Sequence, residues 1–323
     1  MNTVLIVSKN GEVSTCEVID WLDHFGVNFF RINNGGINKI PASIELENGI
    51  KLIAFERDNK ELNLEDIDTV WFRKTISPQA PNTQLIENKE IAKLIETHTM
   101  NELEAYNFSF YHLFDKKSLN HPDRKEINKP LQLDIAQKIG FNIPASLLTS
   151  DKTKLVNFKN KYPELIVKAI FRSRGFLIDK VFHAGFTAVL TDEFIQQLPQ
   201  TFFPVLVQEN IEKAYEIRTF YLDGTCHSMA IFSQMDKQTQ IDFRQYNHQK
   251  PNRTVPFVLP QSITKKIIAF MDKIKLNSGS LDFIRSKDGK FYFLEVNPNG
   301  QFGMVSKPCN YFLEKKIATW LKN

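Results

Sequence analysis

Cysteine and long apolar runs are scarce in this sequence, and each scarcity excludes a class of protein. The 323 residues include three cysteines, Cys16, Cys226 and Cys309, which lie far apart and without metal-ligand spacing. So sparse and odd a set favours a reducing cytoplasm over a disulfide framework. No apolar run approaches the roughly 18 residues of a membrane span, and the N-terminus lacks the basic and apolar regions of a signal peptide. We therefore expect a cytoplasmic protein with no membrane partner.

Charge of one sign is in small excess, and the glycines form no dinucleotide motif. Lys and Arg number 41 against 37 Asp and Glu, a net charge of +4, so the composition predicts no nucleic-acid partner. The 13 glycines include no G-x-G-x-x-G, and the pair Gly35-Gly36 alone is too little for a dinucleotide site. With 42% hydrophobic and 24% charged residues, the chain has the composition of a globular protein.

Alternating strand and helix patterns are abundant. Apolar runs typical of buried strands, such as Val4–Val7 and Thr69–Phe72, alternate with helical patterns in the first third of the chain. Residues 115–127 are polar and predict a linker. The pattern and the length indicate an α/β (α+β) fold of two or three domains.

A helix is well marked after the linker. Asn128 is a candidate N-cap and Gly140 a C-terminal stop. Apolar residues recur every fourth position and predict a core face made of Leu131, Ile135 and Ile139.

Two carboxylates come together in a predicted hairpin near the C-terminus. Strand patterns precede and follow Asp288-Gly289, a two-residue turn signal. That turn places Asp282 directly opposite Glu295 on neighbouring strands. Alternation of side chains then predicts one shared face, made of Asp282, Ile284, Phe291, Phe293, Glu295 and Asn297.

Opposed carboxylates on a partly buried face need a cation. Like charges directly opposite each other destabilise a sheet, and a partly buried pair also loses hydration. All the donors on this face are oxygens, which select a hard ion such as Mg²⁺. The sequence therefore predicts a magnesium site at Asp282, Glu295 and Asn297. The alternative is a solvated acid pair with Asp282 outside the face.

Basic residues upstream indicate a phosphate site. Lys168 lies among apolar neighbours in Leu165–Ile170 and needs an anionic partner, which a nucleotide phosphate provides. Lys129, near the helix start, offers a second phosphate contact, and the turn Arg172–Gly175 is placed to close over phosphates. The alternatives are a strand-end lysine that reaches water, an ordinary surface lysine and a solvated hairpin tip.

The next two strands carry further polar candidates. Val207–Ile211 runs from a strand into polar residues, and such an edge offers backbone N–H and C=O groups to an adenine. Glu216 and Arg218 share one strand face, and Arg218 is suited to stabilising charge on a transferring phosphoryl or acyl group. For each, the alternative is a surface salt bridge.

In order and spacing, these residues resemble the ATP-grasp superfamily of carboxylate ligases. The matching positions are Asn128-Lys129, Gln132, Ile143-Pro144, Ile166–Lys168, Val207–Ile211, Glu216–Arg218, Asp282 and Leu294–Pro298. The resemblance implies an ATP-grasp fold with an N-terminal open α/β pre-ATP-grasp domain over 1–120. It also implies a central lobe over 121–204, with the nucleotide lid and leader recognition, and a C-terminal lobe over 205–323 with the magnesium site.

Within that superfamily, the chain is most similar to the peptide maturases that make graspetides, the microviridin ligase group and its grasp-with-spasm branch. The supporting segments are Val4–Ser8, Val18–Leu22, Phe30–Asn33, Val70–Lys74, Asp242–Arg244 and Pro251–Pro256. The resemblance implies that ATP phosphorylates an Asp or Glu side chain of a ribosomal precursor peptide. A Ser or Thr hydroxyl, or a Lys amine, of the same peptide then attacks the acyl phosphate and closes a macrocyclic ester or amide.

The resemblance also implies cofactors, partners and residue roles. ATP and Mg²⁺ are the implied cofactors, the precursor peptide (leader plus core) is the implied partner, and a homodimer is a further expectation. The implied roles are phosphate contacts by Lys129 and Lys168, an adenine pocket at Gln208, Glu209, Asn210 and Ile211, ribose binding by Glu216, catalysis by Lys168, Arg218 and Arg244, and Mg²⁺ binding by Asp282, Glu295 and Asn297. Arg244 would hold the substrate carboxylate; its alternative is a loop arginine.

Two other functions stay open at this point. A related ligase, similar to the ribosomal-protein glutamate ligases, would join an amino acid to a separate protein or small carboxylate with the same ATP site. A nucleotide-binding module without catalysis would keep the site but carry out no transfer.

Overall fold

The computed structural model describes residues 2–34, 42–47, 50–57, 60–74, 81–113, 116–121, 128–171, 175–178, 181–184, 187–236, 238–243, 245, 247 and 249–323. The chain forms two compact units, one of residues 1–125 with 312–323 and one of residues 126–311. Among the described helices, none has the length and apolarity needed to cross a bilayer.

In the described chain, strands outnumber helices, and strands often follow one another without a helix between them. The strands are β1 (Thr3–Lys9), β2 (Asn28–Asn34), β3 (Ala42–Glu47), β4 (Ile50–Arg57), β5 (Lys60–Asn63), β6 (Thr69–Phe72), β7 (Lys117–Leu119), β8 (Ser146–Asp151), β9 (Leu165–Lys168), β10 (Gly175–Ile178), β11 (Val181–Ala184), β12 (Ala188–Val189), β13 (Thr201–Glu209), β14 (Lys213–Leu222), β15 (Thr225–Phe232), β16 (Arg253–Phe257), β17 (Ser278–Ser286) and β18 (Phe291–Asn297). The helices are α1 (Val13–His24), α2 (Lys89–Leu113), α3 (Lys129–Ile139), α4 (Lys152–Lys161), α5 (Asp192–Gln197), α6 (Gln261–Lys273), α7 (Gly303–Cys309) and α8 (Leu313–Lys322).

The first unit is built on a parallel sheet in the order β2-β1-β6-β7. Val4–Val7 of β1 is completely buried, as expected for a parallel strand covered on both faces. A separate antiparallel sheet holds β3, β4 and β5. Within the linker predicted at 115–127, Lys117–Leu119 instead pairs in parallel with β6 and buries Leu119. Residue 115 and residues 122–127 of that prediction lie outside the described residues.

The C-terminal helix α8 belongs to the first unit. Its residues Leu313, Ile317 and Leu321 are buried, and Asn2 Nδ2 donates to the carbonyl oxygen of Leu321 at 3.3 Å. The sequence placed this helix with the C-terminal lobe, whereas its apolar face packs with α1 and β6. The three-domain division over 1–120, 121–204 and 205–323 stays a prediction.

The second unit contains two larger sheets. One has the order β12-β9-β13-β8 and the other the order β16-β15-β14-β17-β18. The hairpin β10-β11 forms a small sheet of its own. A core of aromatic and aliphatic side chains, among them Phe141, Phe270 and Phe293, lies under the five-stranded sheet.

Helix α3 begins and ends where the sequence predicts. The Asn128 side chain accepts a hydrogen bond from the backbone N–H of Leu131 at 3.1 Å, and Gly140 ends the helix with φ +95°. The predicted core face is wrong at Leu131, which is 54% exposed. The helix packs against β18 and α6, and its buried face consists of Gln132, Leu133 and Ala136.

Candidate active site

A cleft in the second unit collects most of the predicted site residues. The cleft is partly open to solvent. Apolar side chains such as Ile166, Ile211 and Leu294 share the lining with many charges. The charged residues of the lining are Lys129, Lys168, Lys213, Glu209, Glu216, Asp242, Asp282 and Glu295.

The predicted pairing of Asp282 with Glu295 is confirmed, although the register of the two strands near the turn differs from the predicted one. Arg285 pairs with Phe291 near the turn, one position away from the pairing that a two-residue turn predicts. The register then shifts between Asp282 and Phe283, where Leu294 of β18 has no partner. This β-bulge adds one residue to β18 and restores the pairing of the two carboxylates.

The bulge also corrects the predicted shared face. Phe293 is completely buried and packs against Phe141 and Phe283, whereas Glu295 lines the cleft. Phe291 is packed against the same core, so the expectation that these phenylalanines share the face of Glu295 is wrong. One inserted residue reverses the faces of all residues beyond it.

Each carboxylate of the pair has a basic neighbour. Arg218, directly opposite Asp282 on β14, donates from Nη1 to both Asp282 oxygens at 2.9 and 3.0 Å. Lys129 Nζ lies 3.4 Å from Glu295 Oε2. The Lys129 ammonium also donates to the carbonyl oxygens of Ala169 and Phe171 at 3.0 and 2.8 Å, so one lysine links α3, the chain after β9 and β18.

The donors present fit a magnesium ion. Asp282 and Glu295 offer carboxylates from paired positions of two strands, and both line the cleft. Asn297 follows on the same strand as Glu295 but is exposed, outside the residues that line the cleft, and its Oδ1 accepts from Asn299 N–H at 3.0 Å. The described residues hold no group of three or more His, Cys, Asp or Glu side chains placed for a metal. Two carboxylates suit Mg²⁺, which completes its coordination with water and substrate phosphate oxygens.

Lys168 lines the cleft from the end of β9, where it pairs with Leu206 of β13. The side chain is half-buried. With Lys129 and Lys213 it places three ammonium groups around one space that five carboxylates also line. A ligand with several negative charges therefore needs a divalent cation beside it to offset the acidic groups.

The predicted adenine segment divides into two parts. Glu209, Asn210 and Ile211 line the cleft, and Asn210 donates its backbone N–H to Glu164 O at 2.8 Å. Gln208 is buried, and its Nε2 donates to Ser146 Oγ at 2.9 Å. Gln208 therefore links its own strand, β13, to β8, and this contact supports the neighbouring residues that line the cleft.

Glu216 lines the cleft in a buried network that the sequence did not predict. Lys213 Nζ donates to Glu216 Oε1 and also to Ile241 O at 3.2 Å, and Ser233 Oγ donates to Glu216 Oε1 at 3.0 Å. Burial raises the pKa of the Glu216 carboxyl above its usual value, although Lys213 and Ser233 oppose the shift. The i, i+3 spacing of Lys213 and Glu216 would not reveal this pair, because such residues do not share a face of a regular strand.

Several other predicted residues lie apart from the cleft surface or outside the described chain. Arg218 is buried behind Asp282, and its catalytic role stays a prediction. Arg244 and the basic turn over 172–174 lie outside the described residues. Asp242 is a lining residue to which sequence reasoning gave no role; its Oδ2 accepts from the backbone N–H of Thr187 at 3.3 Å.

Residues 126–321 match the family model described as a RimK-like ATP-grasp domain. No curated protein matches the chain significantly. The predicted ATP-grasp fold is confirmed.

Solved structures of peptide-modifying ligases are similar over the whole chain. A RiPP-associated ATP-grasp ligase of Chryseobacterium gregarium, in complex with ADP and a leader and core peptide, is 26% identical with a TM-score of 0.88, over 99% of this chain and 96% of that one. The macrocyclase MdnC of Microcystis aeruginosa MRC, bound with the precursor peptide MdnA, is 23% identical with a TM-score of 0.82, over 99% of both chains. The ligase PsnB, complexed with a minimal precursor, Mg and ADP, is 16% identical with a TM-score of 0.75, over 98% of this chain and 96% of that one.

Proposed function

Because the chain belongs to the RimK-like ATP-grasp family, we propose that it is an ADP-forming ligase that crosslinks a ribosomal precursor peptide. It would join Asp or Glu side chains of the peptide to Ser or Thr hydroxyls, or to Lys amines, in macrocyclic esters or amides. The observation that carries this proposal is the Asp282–Glu295 pair, facing a cleft lined by three lysines. Such an array suits a polyphosphate and a divalent cation. The ligase with leader and core peptide, similar over nearly the full length, supports the peptide substrate.

The reaction needs no nucleophile from the protein. A carboxylate oxygen of the peptide attacks the γ-phosphorus of ATP, and ADP leaves. The hydroxyl or amine of the same peptide then attacks the acyl carbon, its proton passes to solvent or a base, and the C–O bond to phosphate breaks. Holding both groups of one peptide together makes the second step intramolecular, which lowers its entropic cost.

The predicted site residues have four proposed roles. Lys129 and Lys168 would bind phosphates, and Glu209, Asn210 and Ile211 the adenine, with Gln208 supporting that segment and Glu216 at the ribose. Asp282, Glu295 and Asn297 would hold Mg²⁺, which when bound neutralises phosphate charge.

Two arginines complete the proposed site. Arg218 would orient Asp282 and contact the reacting phosphoryl group, and Arg244 would hold the substrate carboxylate. Arg218 contacts the Asp282 carboxylate in the structure, whereas Arg244 lies outside the described residues.

The proposal is tested by incubating the protein with a co-encoded precursor peptide and MgATP. We expect the peptide to lose one water per crosslink in mass spectrometry, with one ADP formed per water lost. The Asp282→Asn variant is the control and should give neither product. ADP formation without any water-loss species, for every neighbouring precursor, would contradict the peptide substrate.

The family membership also favours an alternative, a ligase that joins an amino acid to a separate protein or small carboxylate. That enzyme would use the same cleft and would show a mass gain on its substrate in place of a water loss. A nucleotide-binding module without catalysis would bind ADP but form none from ATP.

Location and assembly are two further proposals. We propose a cytoplasmic location, which three free cysteines, Cys16, Cys226 and Cys309, support. The homodimer stays a prediction.

A further inference from the structure

The strand that carries Glu295 and Asn297 lies at an edge of its sheet. Among the described strands, β17 pairs with β18 on one side, and on the other side Asn142 forms a short bridge with Tyr292 before the bulge. The backbone groups of an edge strand beyond such a bridge need other partners. The bulge at Leu294 interrupts the ladder directly before Glu295. A slip of one residue there would turn Glu295 from the cleft to the core, so its orientation depends on whatever holds β18 beyond the bulge.

Gln132 of α3 holds the strand at that point. Its Oε1 accepts from the backbone N–H of Val296 at 2.8 Å, and its Nε2 donates to Val296 O at 3.1 Å. The side chain is 4% exposed. Both ends of one buried amide thus bind one residue of the strand, as a neighbouring strand would.

Val296 is the residue between the two proposed magnesium ligands. Its side chain is buried in the core with Leu281, while Glu295 lines the cleft. A fixed peptide orientation at Val296 fixes the directions in which both neighbours point, because successive side chains of a strand alternate.

We infer that Gln132 is a positioning residue for the proposed magnesium site. It fixes the register of β18 after the bulge and thereby directs Glu295 and Asn297 to the cation. This inference rests on the proposed function, but the anchoring of β18 is measurable without nucleotide or metal.

The test compares Gln132→Met with two controls. Methionine keeps the length and packing of the side chain but removes both hydrogen bonds. Gln137→Met makes the same substitution at an exposed position of α3. Asn142→Leu removes the side-chain hydrogen bond to Phe291 O, at the other end of the same strand.

Two readouts separate positioning from general stability. Amide hydrogen exchange of the ligand-free protein should be about tenfold faster at Val296 in Gln132→Met, and unchanged there in both controls. By calorimetry, the gain in ADP affinity on adding Mg²⁺ should fall about tenfold or more in Gln132→Met, while ADP affinity without Mg²⁺ stays close to wild type. Gln132→Glu keeps an acceptor for the Val296 N–H and should lie between Gln132→Met and wild type, also if Gln132→Met does not fold.

Three outcomes would overturn the inference. Unchanged exchange at Val296 in Gln132→Met would show that the amide does not hold the strand. Faster exchange with a wild-type response to Mg²⁺ would show a purely structural role. If the ADP affinity of the wild-type protein is the same with and without Mg²⁺, that result would contradict the proposed function itself, and with it this inference.

Discussion

Both units of the protein bury charges, but in different surroundings. In the first unit, Glu12 and Arg73 form an ion pair at 3.0 Å, and both are almost fully buried. Thr15 donates its backbone N–H and its hydroxyl to the same carboxylate, each at 2.6 Å. In the second unit, the buried pair Lys213–Glu216 and the partly buried pair Arg218–Asp282 lie at the cleft, which Lys213, Glu216 and Asp282 line.

The difference separates a structural pair from a binding site. Burial by itself raises the pKa of the Glu12 carboxyl, yet Arg73 and the Thr15 hydrogen bonds lower it below its usual value overall. At the cleft, the burial of Glu216 outweighs its contacts with Lys213 and Ser233 and raises the pKa of its carboxyl. Both carboxylates accept hydrogen bonds locally, but Glu12 stabilises the N-terminus of α1, whereas Glu216 also lines a cleft that a ligand can enter.

The largest effect is expected where the cleft meets the cation. Asp282→Asn keeps the shape of the side chain but removes a charge from the proposed magnesium site. We expect ATP-dependent ligation to fall about 10³-fold, since charge stabilisation is lost in the transition state. Single-turnover assays with the precursor measure the effect. Asp134→Asn, in an exposed pair with Lys138 on α3, is the matched control and should retain wild-type activity.

Breaking the buried Glu12–Arg73 pair should lower the stability of the fold without changing nucleotide binding. Arg73→Met leaves Glu12 as an uncompensated buried charge, and we expect a loss of about 3–5 kcal/mol in the free energy of unfolding. Denaturant titration measures the loss, and ADP affinity should be unchanged. Lys138→Met, which breaks an exposed pair, should cost less than about 0.5 kcal/mol. A large drop in ADP affinity for Arg73→Met would erase the contrast between the units.

The same pair predicts a pH dependence. Because the pKa of Glu12 is lowered in the folded protein, its contribution is complete above the unfolded value of about 4.3 and is lost as pH falls through the folded pKa. One such group adds a slope of at most about 1.4 kcal/mol per pH unit. Unfolding free energies measured between neutral and acid pH should show this slope, and Glu12→Gln should remove it. An identical slope in both proteins would assign the acid sensitivity to other groups.

The smallest effect concerns a single phosphate contact. Lys168→Met should weaken ADP binding about tenfold, the value of one charge-assisted hydrogen bond, with little change in unfolding free energy because the side chain is half-buried. Calorimetry measures the affinity. Lys154→Met, at an exposed position of α4, serves as control. Wild-type affinity in Lys168→Met would favour the strand-end interpretation of this lysine.

Local signals predicted much of the fold and of the site. The N-cap Asn128 and the stop Gly140 bound α3 because capping depends on residues close in sequence. The opposition of Asp282 and Glu295 was predicted from a turn whose register is off by one residue, and the β-bulge at Leu294 restores it. The apolar run Val4–Val7 marked the central strand of the first unit.

Predictions that needed distant partners were incomplete. The buried face of α3 was misjudged at Leu131, because β18 and α6 decide which side of the helix is covered. The sequence did not predict a role for Lys213, since its contacts with Glu216 and Ile241 depend on the path of the chain around the cleft.

By itself, the sequence determined the order of the chemical groups and the local turns and caps that present them, since these depend on neighbours within a few residues. Only the tertiary structure decided that a bulge at Leu294 separates the core-facing Phe293 from the cleft-facing Glu295. The same holds for Gln132, which lies 164 residues from the strand it holds. Packing made those choices, because the free energy of burying one face and satisfying one strand edge depends on residues that are remote in sequence.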